Sequence, residues 1–328
     1  MNLGGINSVP DLDKNLVQAA AGIPVESKRS IIKKDLIRNR YIYLMLLPVM
    51  AYYAIFHYGP MYGLLIAFKD YGIADGVWRS PWVGFTHFHH FFENPYFWRL
   101  IRNTALINIY ELLFAFPAPI LLALLLNELR RIVFKRVVQT ISYLPHFISI
   151  VVVAGMLVDF VARDGLINNI LGLFGMEPIA FLQEPGWFRS IYVSSGIWQG
   201  VGWGSIIYLA AMSTIDPTLY DAARIDGAGR WKQTLHVTIP GIMSTIVILF
   251  ILNIGSMLSV GSEKIILLYN PLTYETADVI STYVYRKGIL GADFGYSAAV
   301  GLFNSVISFI LLTLANTISK RVSEHRLW

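Results

Sequence analysis

Seven side chains that can bond or stack on a polar ligand stand inside otherwise apolar runs: Glu111, Asn108, Trp198, Gln199, Trp203, Asn253 and Asn304. The four amides both donate and accept, which suits a ligand rich in hydroxyls. Trp198, Trp203 and also Tyr208 offer rings for the apolar C–H faces of a pyranose. Glu111 brings a carboxylate to a place where a charge is costly, and such residues are functional by default. Glu111 is placed about two turns below the outer end of its run. There it either faces a transport path or pairs with another subunit, or it reaches the headgroups. The amides have an equally ordinary use in cross-linking helices, at about 0.6 kcal/mol each. Gly196, Gly200, Gly202 and Gly204 read as close-packing positions first and as sources of flexibility second.

A second set lies between two apolar runs, in residues 216–240. Asp216 followed by Pro217 is a cap and first-turn pair, so a short helix is expected from about Pro217 to Ile225. Gly227 and Gly229 then permit a turn that other residues resist, and a helical pattern resumes from Trp231 to Val237. Pro240 opens the next apolar run. Ala222 and Ala223 allow a close approach to a partner's cleft. Asp221 and Asp226 offer charge to cations there, and Ala228 follows the bend.

Other chemistries lack their residues. With no cysteine there is no disulfide, thiolate nucleophile or thiolate metal site. His87, His89 and His90 cluster without acidic or further ligands, so packing at an interface is expected and a metal is not. The chain has no G-x-x-x-x-G-K-[ST] phosphate loop, no serine elbow and no paired catalytic carboxylates. An enzyme is therefore not expected, and any ATP and Mg would be bound by other polypeptides.

The elements that must position these residues follow from composition. Of 328 residues, 55% are hydrophobic and 14% charged, with a mean hydropathy of +0.55. A soluble domain carries roughly a quarter charged residues, so an all-α membrane protein is expected. Six runs are long enough to cross a bilayer of about 30 Å: roughly 41–66, 104–126, 137–161, 189–212, 239–260 and 296–317. No cleavable signal peptide is expected at the start. With the N-terminus inside, 17 of the 26 Lys and Arg fall on the inner side, which orients both termini to the cytoplasm. The organisation is then a tail over 1–40, a six-span domain over 41–317 and a tail over 318–328. Three outer loops are expected at about 67–103, 162–188 and 261–295. The first is aromatic and lies along the membrane surface; the third holds a short helix near 275–287. The outer side carries 9 basic against 12 acidic residues, which is no basic funnel. Nothing points to nucleic acid.

Asp221-Ala222-Ala223, Asp226-Gly227-Ala228 and Ile239-Pro240 resemble the EAA loop of binding-protein-dependent ABC importer permeases. Asp221 stands for the usual glutamate, and Thr234 and Leu235 stand where an aromatic is common. The resemblance implies that Asp221, Ala222, Ala223, Asp226, Gly227, Ala228 and Pro240 couple the spans to ATPases. Phe56-His57-Tyr58-Gly59-Pro60-Met61-Tyr62-Gly63-Leu64, Ala67-Phe68-Lys69-Asp70-Tyr71, Val83-Gly84-Phe85-Thr86-His87-Phe88 and Gly295-Tyr296-Ser297-Ala298-Ala299 are similar to the LplB-type carbohydrate permeases. That group implies import of oligosaccharides or polysaccharide fragments, with an alginate-type permease the leading member. It further implies a second, different permease chain, two ATPase subunits, an external solute-binding protein and a bacterial inner membrane. The coupling loop alone leaves a non-sugar solute open, and an ion-coupled secondary transporter is the other alternative.

Overall fold

The computed structural model describes residues 34–256 and 261–322; these are helical apart from turns, loops and one isolated antiparallel bridge between Lys69 and Trp82. Residues 1–33 and 323–328 of the expected tails, and 257–260 at the end of the expected fifth span, lie outside them. The chain divides into two units, residues 1–63 and 64–328.

In the first unit, α1 (Arg40–Tyr53) passes into a π-helical turn, Ala54–Tyr58. Pro48 lies inside α1, an interruption that membrane helices tolerate. No α1 residue is buried. A helix apolar on all sides suits a membrane span.

The second unit holds α2 (Thr86–Phe92), α3 (Phe97–Tyr110), α4 (Pro117–Glu128), α5 (Ile132–Tyr143), α6 (Ile150–Phe160), α7 (Leu166–Leu173) and α8 (Pro185–Met212). After these come α9 (Pro217–Ile225), α10 (Arg230–Gln233), α11 (Met243–Ser256), α12 (Ser262–Leu268), α13 (Tyr274–Ala277), α14 (Ile280–Tyr285) and α15 (Phe294–Val322). Proline placement explains the breaks. Pro117 and Pro119 cannot donate to carbonyls a turn back. A π-turn at Glu111–Ala115 absorbs the mismatch, with Phe116 N–H bonding to the Glu111 carbonyl at 2.9 Å.

Among the described residues, three helices are long and apolar enough to cross a membrane: Arg40–Phe68, Phe97–Glu128 and Phe294–Ile318. Counting each bent pair as one span raises this to five. The expected third span is broken rather than straight, with a 102° bend between Ile132–Phe147 and Ile150–Phe160; Pro145 sits in the turn between. The fifth bends by 61° after Gly241, next to Pro240. The second span begins at Phe97, seven residues earlier than its hydropathy suggests, because polar Arg99, Arg102 and Asn103 open the same helix. Glu111 therefore lies about four turns from the start of this helix, not two. The helix expected near 275–287 is three shorter pieces, α13, α14 and a π-turn at Arg286–Leu290.

The 28-residue helix α8, which covers the expected fourth span, is at the centre of the packing. Its length suffices for a bilayer, while its glycines, serines and aromatics make it less apolar than the others. A Cβ on Gly202 would collide with the backbone carbonyl of Ser142, and one on Gly204 would press on Pro119. These glycines set how closely α5 and α4 approach α8. Tyr208 and Met212 fill a buried cluster with Ala123 and Ile242, so Tyr208 is core and not a stacking surface.

Candidate functional site

In the 216–240 loop, helix α9 is closed by a cap at each end. Asp216 Oδ1 accepts the Thr218 N–H at 2.9 Å, which starts α9 and holds the Asp216 carboxyl below the usual carboxylate range. At the other end Ala228 N–H reaches the Ala223 carbonyl at 2.8 Å, and Gly227 N–H reaches the Arg224 carbonyl at 3.0 Å. This is the Schellman arrangement, and its left-handed position is Gly227 at φ +74°. The stretch Ala223 to Ala228 is thus one closing motif: Gly227 supplies the turn and Asp226 the cap residue.

Three contacts tie this loop to the helices it leads into. Tyr220 Oη lies 3.0 Å from Thr238 Oγ1, joining α9 to the π-turn Thr234–Thr238. Gln233 Nε2 donates to the Ala228 carbonyl at 2.7 Å. Arg230 pairs with Glu128, the last residue of α4, at 3.7 Å. Asp221 pairs with Arg224 at 3.2 Å on the open surface, an interaction worth little by itself. Around these polar ties stand exposed apolar side chains: Leu219, Trp231 and above all Ile225, which is 86% exposed.

A second region lies on α3, α8 and the segment α12–α14. Asp278 is fully buried and takes both ends of the Arg286 fork at 2.8 Å, with Arg99 at 3.2 Å. Burial opposes the Arg286 charge, yet the Asp278 bonds hold its pKa above the ordinary guanidinium value. Asn103, also fully buried, donates to the Glu275 and Asp278 carbonyls at 2.9 and 3.0 Å. Its Oδ1 accepts from Arg189 Nη2 at 2.9 Å. Thr104 Oγ1 accepts from the Ile280 N–H at 3.1 Å. The segment after α12 is therefore bolted onto the first half of α3.

The surroundings of the seven polar candidates in the apolar runs differ. Trp198 lines a cavity of about 280 Å³ with Met156, Phe160, Ser194 and Ser195. Asn108 Nδ2 donates to its own helix, to the Thr104 carbonyl. Gln199 Nε2 reaches the Ile148 carbonyl at 3.2 Å across the α5–α6 break. Trp203 stacks on His146 at 4.6 Å, nearly parallel. Asn253 is exposed on α11 and Asn304 half-buried on α15. Glu111 is half-buried and feels the charge of Lys264, whose Nζ donates to the Tyr192 carbonyl at 2.8 Å. A second cavity, about 330 Å³, is lined by Tyr110, Phe114, Arg189, Ser190, Val193 and Ser194 among others. His87 Nε2 donates to the Lys69 carbonyl at 2.9 Å, a packing contact.

Sequence reasoning missed Arg189, Lys264 and the Asp278 cluster. Arg189 did carry a signal, a guanidinium at the mouth of an apolar run.

The family model for the binding-protein-dependent transport system inner membrane component matches residues 115–324, which include both the inner loop and α8. The chain belongs to this family. It is a permease subunit of a binding-protein-dependent ABC importer, a transport component and not an enzyme. Protein LplB of Bacillus subtilis is 48% identical over 292 residues, covering 89% of this permease and 92% of LplB. The polygalacturonan/rhamnogalacturonan transport system permease protein YteP of the same organism is 46% identical, covering 92% and 94%. Among solved structures, a bacterial alginate ABC transporter in complex with an alginate pentasaccharide-bound periplasmic protein contains a chain 46% identical to the permease. The match has a TM-score of 0.84 and covers 90% of the permease and 99% of that chain.

Proposed function

We propose that this permease forms half of the path of an ATP-driven importer for acidic oligosaccharides or polysaccharide fragments, of the alginate or pectic kind. The substrate class is supported by the near full-length similarity to two systems whose cargo is an acidic polysaccharide, YteP and the alginate transporter. In this reading α8 is a sixth span, both termini are cytoplasmic, and a second, different permease chain completes the path. An external solute-binding protein delivers the sugar. Two ATPase subunits, which bind ATP and Mg, dock on the inner loops.

The loop's construction supports a mechanical role. Ile225, Leu219 and Trp231 are apolar knobs that a cleft in an ATPase can cover, while Ala222 and Ala223 keep the α9 face low. The Tyr220–Thr238 and Arg230–Glu128 ties carry displacement of α9 and α10 to the fifth and second spans. ATP can shift the inward–outward equilibrium only through its different affinity for the two states. The loop transmits that difference as a change of position.

The test is to purify the tagged chain in mild detergent and assay ATPase activity in what accompanies it, with neutral and uronate oligosaccharides. Co-purification of a second permease and an ATPase, with hydrolysis stimulated by uronates and their binding protein, is expected. A chain that emerges alone, with no ATPase, refutes the proposal. Stimulation by a non-sugar solute alone refutes the substrate class.

A further inference from the structure

We propose that Arg189 reads the carboxylate of a uronate unit in the cavity it shares with Tyr110, Phe114 and the serine edge of α8. The inference rests on the importer reading above and adds to it the group that prefers an acidic sugar.

The face of α8 next to Arg189 carries Ser190, Ser194 and Trp198 at four-residue spacing, so they share one side of the helix. All three are exposed. A guanidinium on a membrane helix faces protein, water or headgroups rather than lipid tails, which suits a border with an aqueous space once the neighbouring chain is in place.

Arg189 is held ready at its far side. One Nη donates to Asn103 Oδ1, and Asn103 is itself fixed by two backbone carbonyls. Yet its charge is not answered in kind. Arg99 and Arg286 share the buried Asp278, whereas no carboxylate among the described residues lies within ion-pair distance of Arg189. The Tyr110 hydroxyl interacts with it directly, while Arg102 repels it and Glu275 attracts it. Its Nε–H is buried with no acceptor among the described residues. A positioned guanidinium with no counter-ion, standing at the wall of a cavity, is the element that a carboxylate completes.

The walls fit the rest of a sugar. Tyr110 and Phe114 present rings to a pyranose C–H face, and Ser190 and Ser194 present hydroxyls. The volume, about 330 Å³, falls in the range of small-ligand cavities. Absence of a basic funnel over the outer surface does not count against this arrangement, because one positioned arginine selects locally.

The test uses the complete transporter in vesicles, with its partner permease, ATPases and binding protein. Uptake of a uronate oligosaccharide is compared with uptake of its carboxyl-reduced, neutral counterpart. The same binding protein serves every variant, so its own preference cancels when the uronate-to-neutral ratio is compared between them. In R189Q that ratio is expected to fall about tenfold, equivalent to about 1.4 kcal/mol. R189K keeps the charge but not the fork, and its ratio falls less; it also serves if R189Q does not assemble. A ratio unchanged in both variants, or equal loss of both sugars, overturns the subsite and leaves the importer reading standing. Wild-type vesicles that take up neither sugar overturn both.

Discussion

Asp278 shows what a single buried charge does in this chain. It has no exposed surface and faces two guanidiniums, each about one quarter exposed. Replacing it with asparagine keeps its shape but leaves Arg286 and Arg99 without a counterion. Removing one partner of a buried pair costs about 3–5 kcal/mol, and the partial exposure of the arginines favours the lower figure. D278N is expected to unfold at a clearly lower temperature than wild type in detergent, read by loss of the monodisperse peak after heating. A wild-type midpoint would mean that the bolt between α14 and α3 contributes nothing net. This cluster was not legible in the sequence, because its members lie far apart: Arg99 is 179 positions from Asp278 and Arg286 is eight positions away on another element. The Asp216–Pro217 start of α9 was legible because a cap is a local bond, made within two residues.

At the scale of elements, the apolar runs located helices, while their polar starts, as at Phe97, and their bends were not readable. Apolar runs fix how far a helix can extend through lipid. Where it kinks depends on which carbonyls lose a partner to Pro145 or Pro240 and on whether a π-turn can absorb the change. Likewise the glycines of α8 look equivalent on the page and differ in the fold. Gly202 faces the Ser142 carbonyl with no room for a methyl group, while Gly200 has nothing within 4 Å of its would-be Cβ. G202A is expected to destabilise by about 1–3 kcal/mol, the usual cost of overpacking, and toward the upper end because the obstacle is backbone. G200A, in open space on a helix, is expected to be neutral or stabilising by up to about 1 kcal/mol. Thermal midpoints of the two purified variants make the comparison. Equal midpoints would mean that α5 shifts freely against α8.

For the whole transporter, the proposed coupling asks a small loop over 216–240 to move long helices. The bend at Gly227 decides the angle between α9, which carries Ala222, Ala223 and Ile225, and α10, which is tied through Arg230 to α4. Proline cannot adopt φ +74°, and it also lacks the N–H that Gly227 gives to the Arg224 carbonyl. G227P therefore opens the turn while leaving every membrane span as it was. Asparagine tolerates the left-handed region and keeps the N–H, so G227N should retain most of the bend. The expected result is that G227P reaches the membrane and loses sugar-stimulated ATP hydrolysis in the assembled complex, while G227N keeps it. The contrast between the variants separates loss of the turn from loss of glycine. Full stimulation in G227P would show that docking does not depend on the angle at Gly227, and coupling would have to pass through α9 alone, by way of Tyr220 and Thr238.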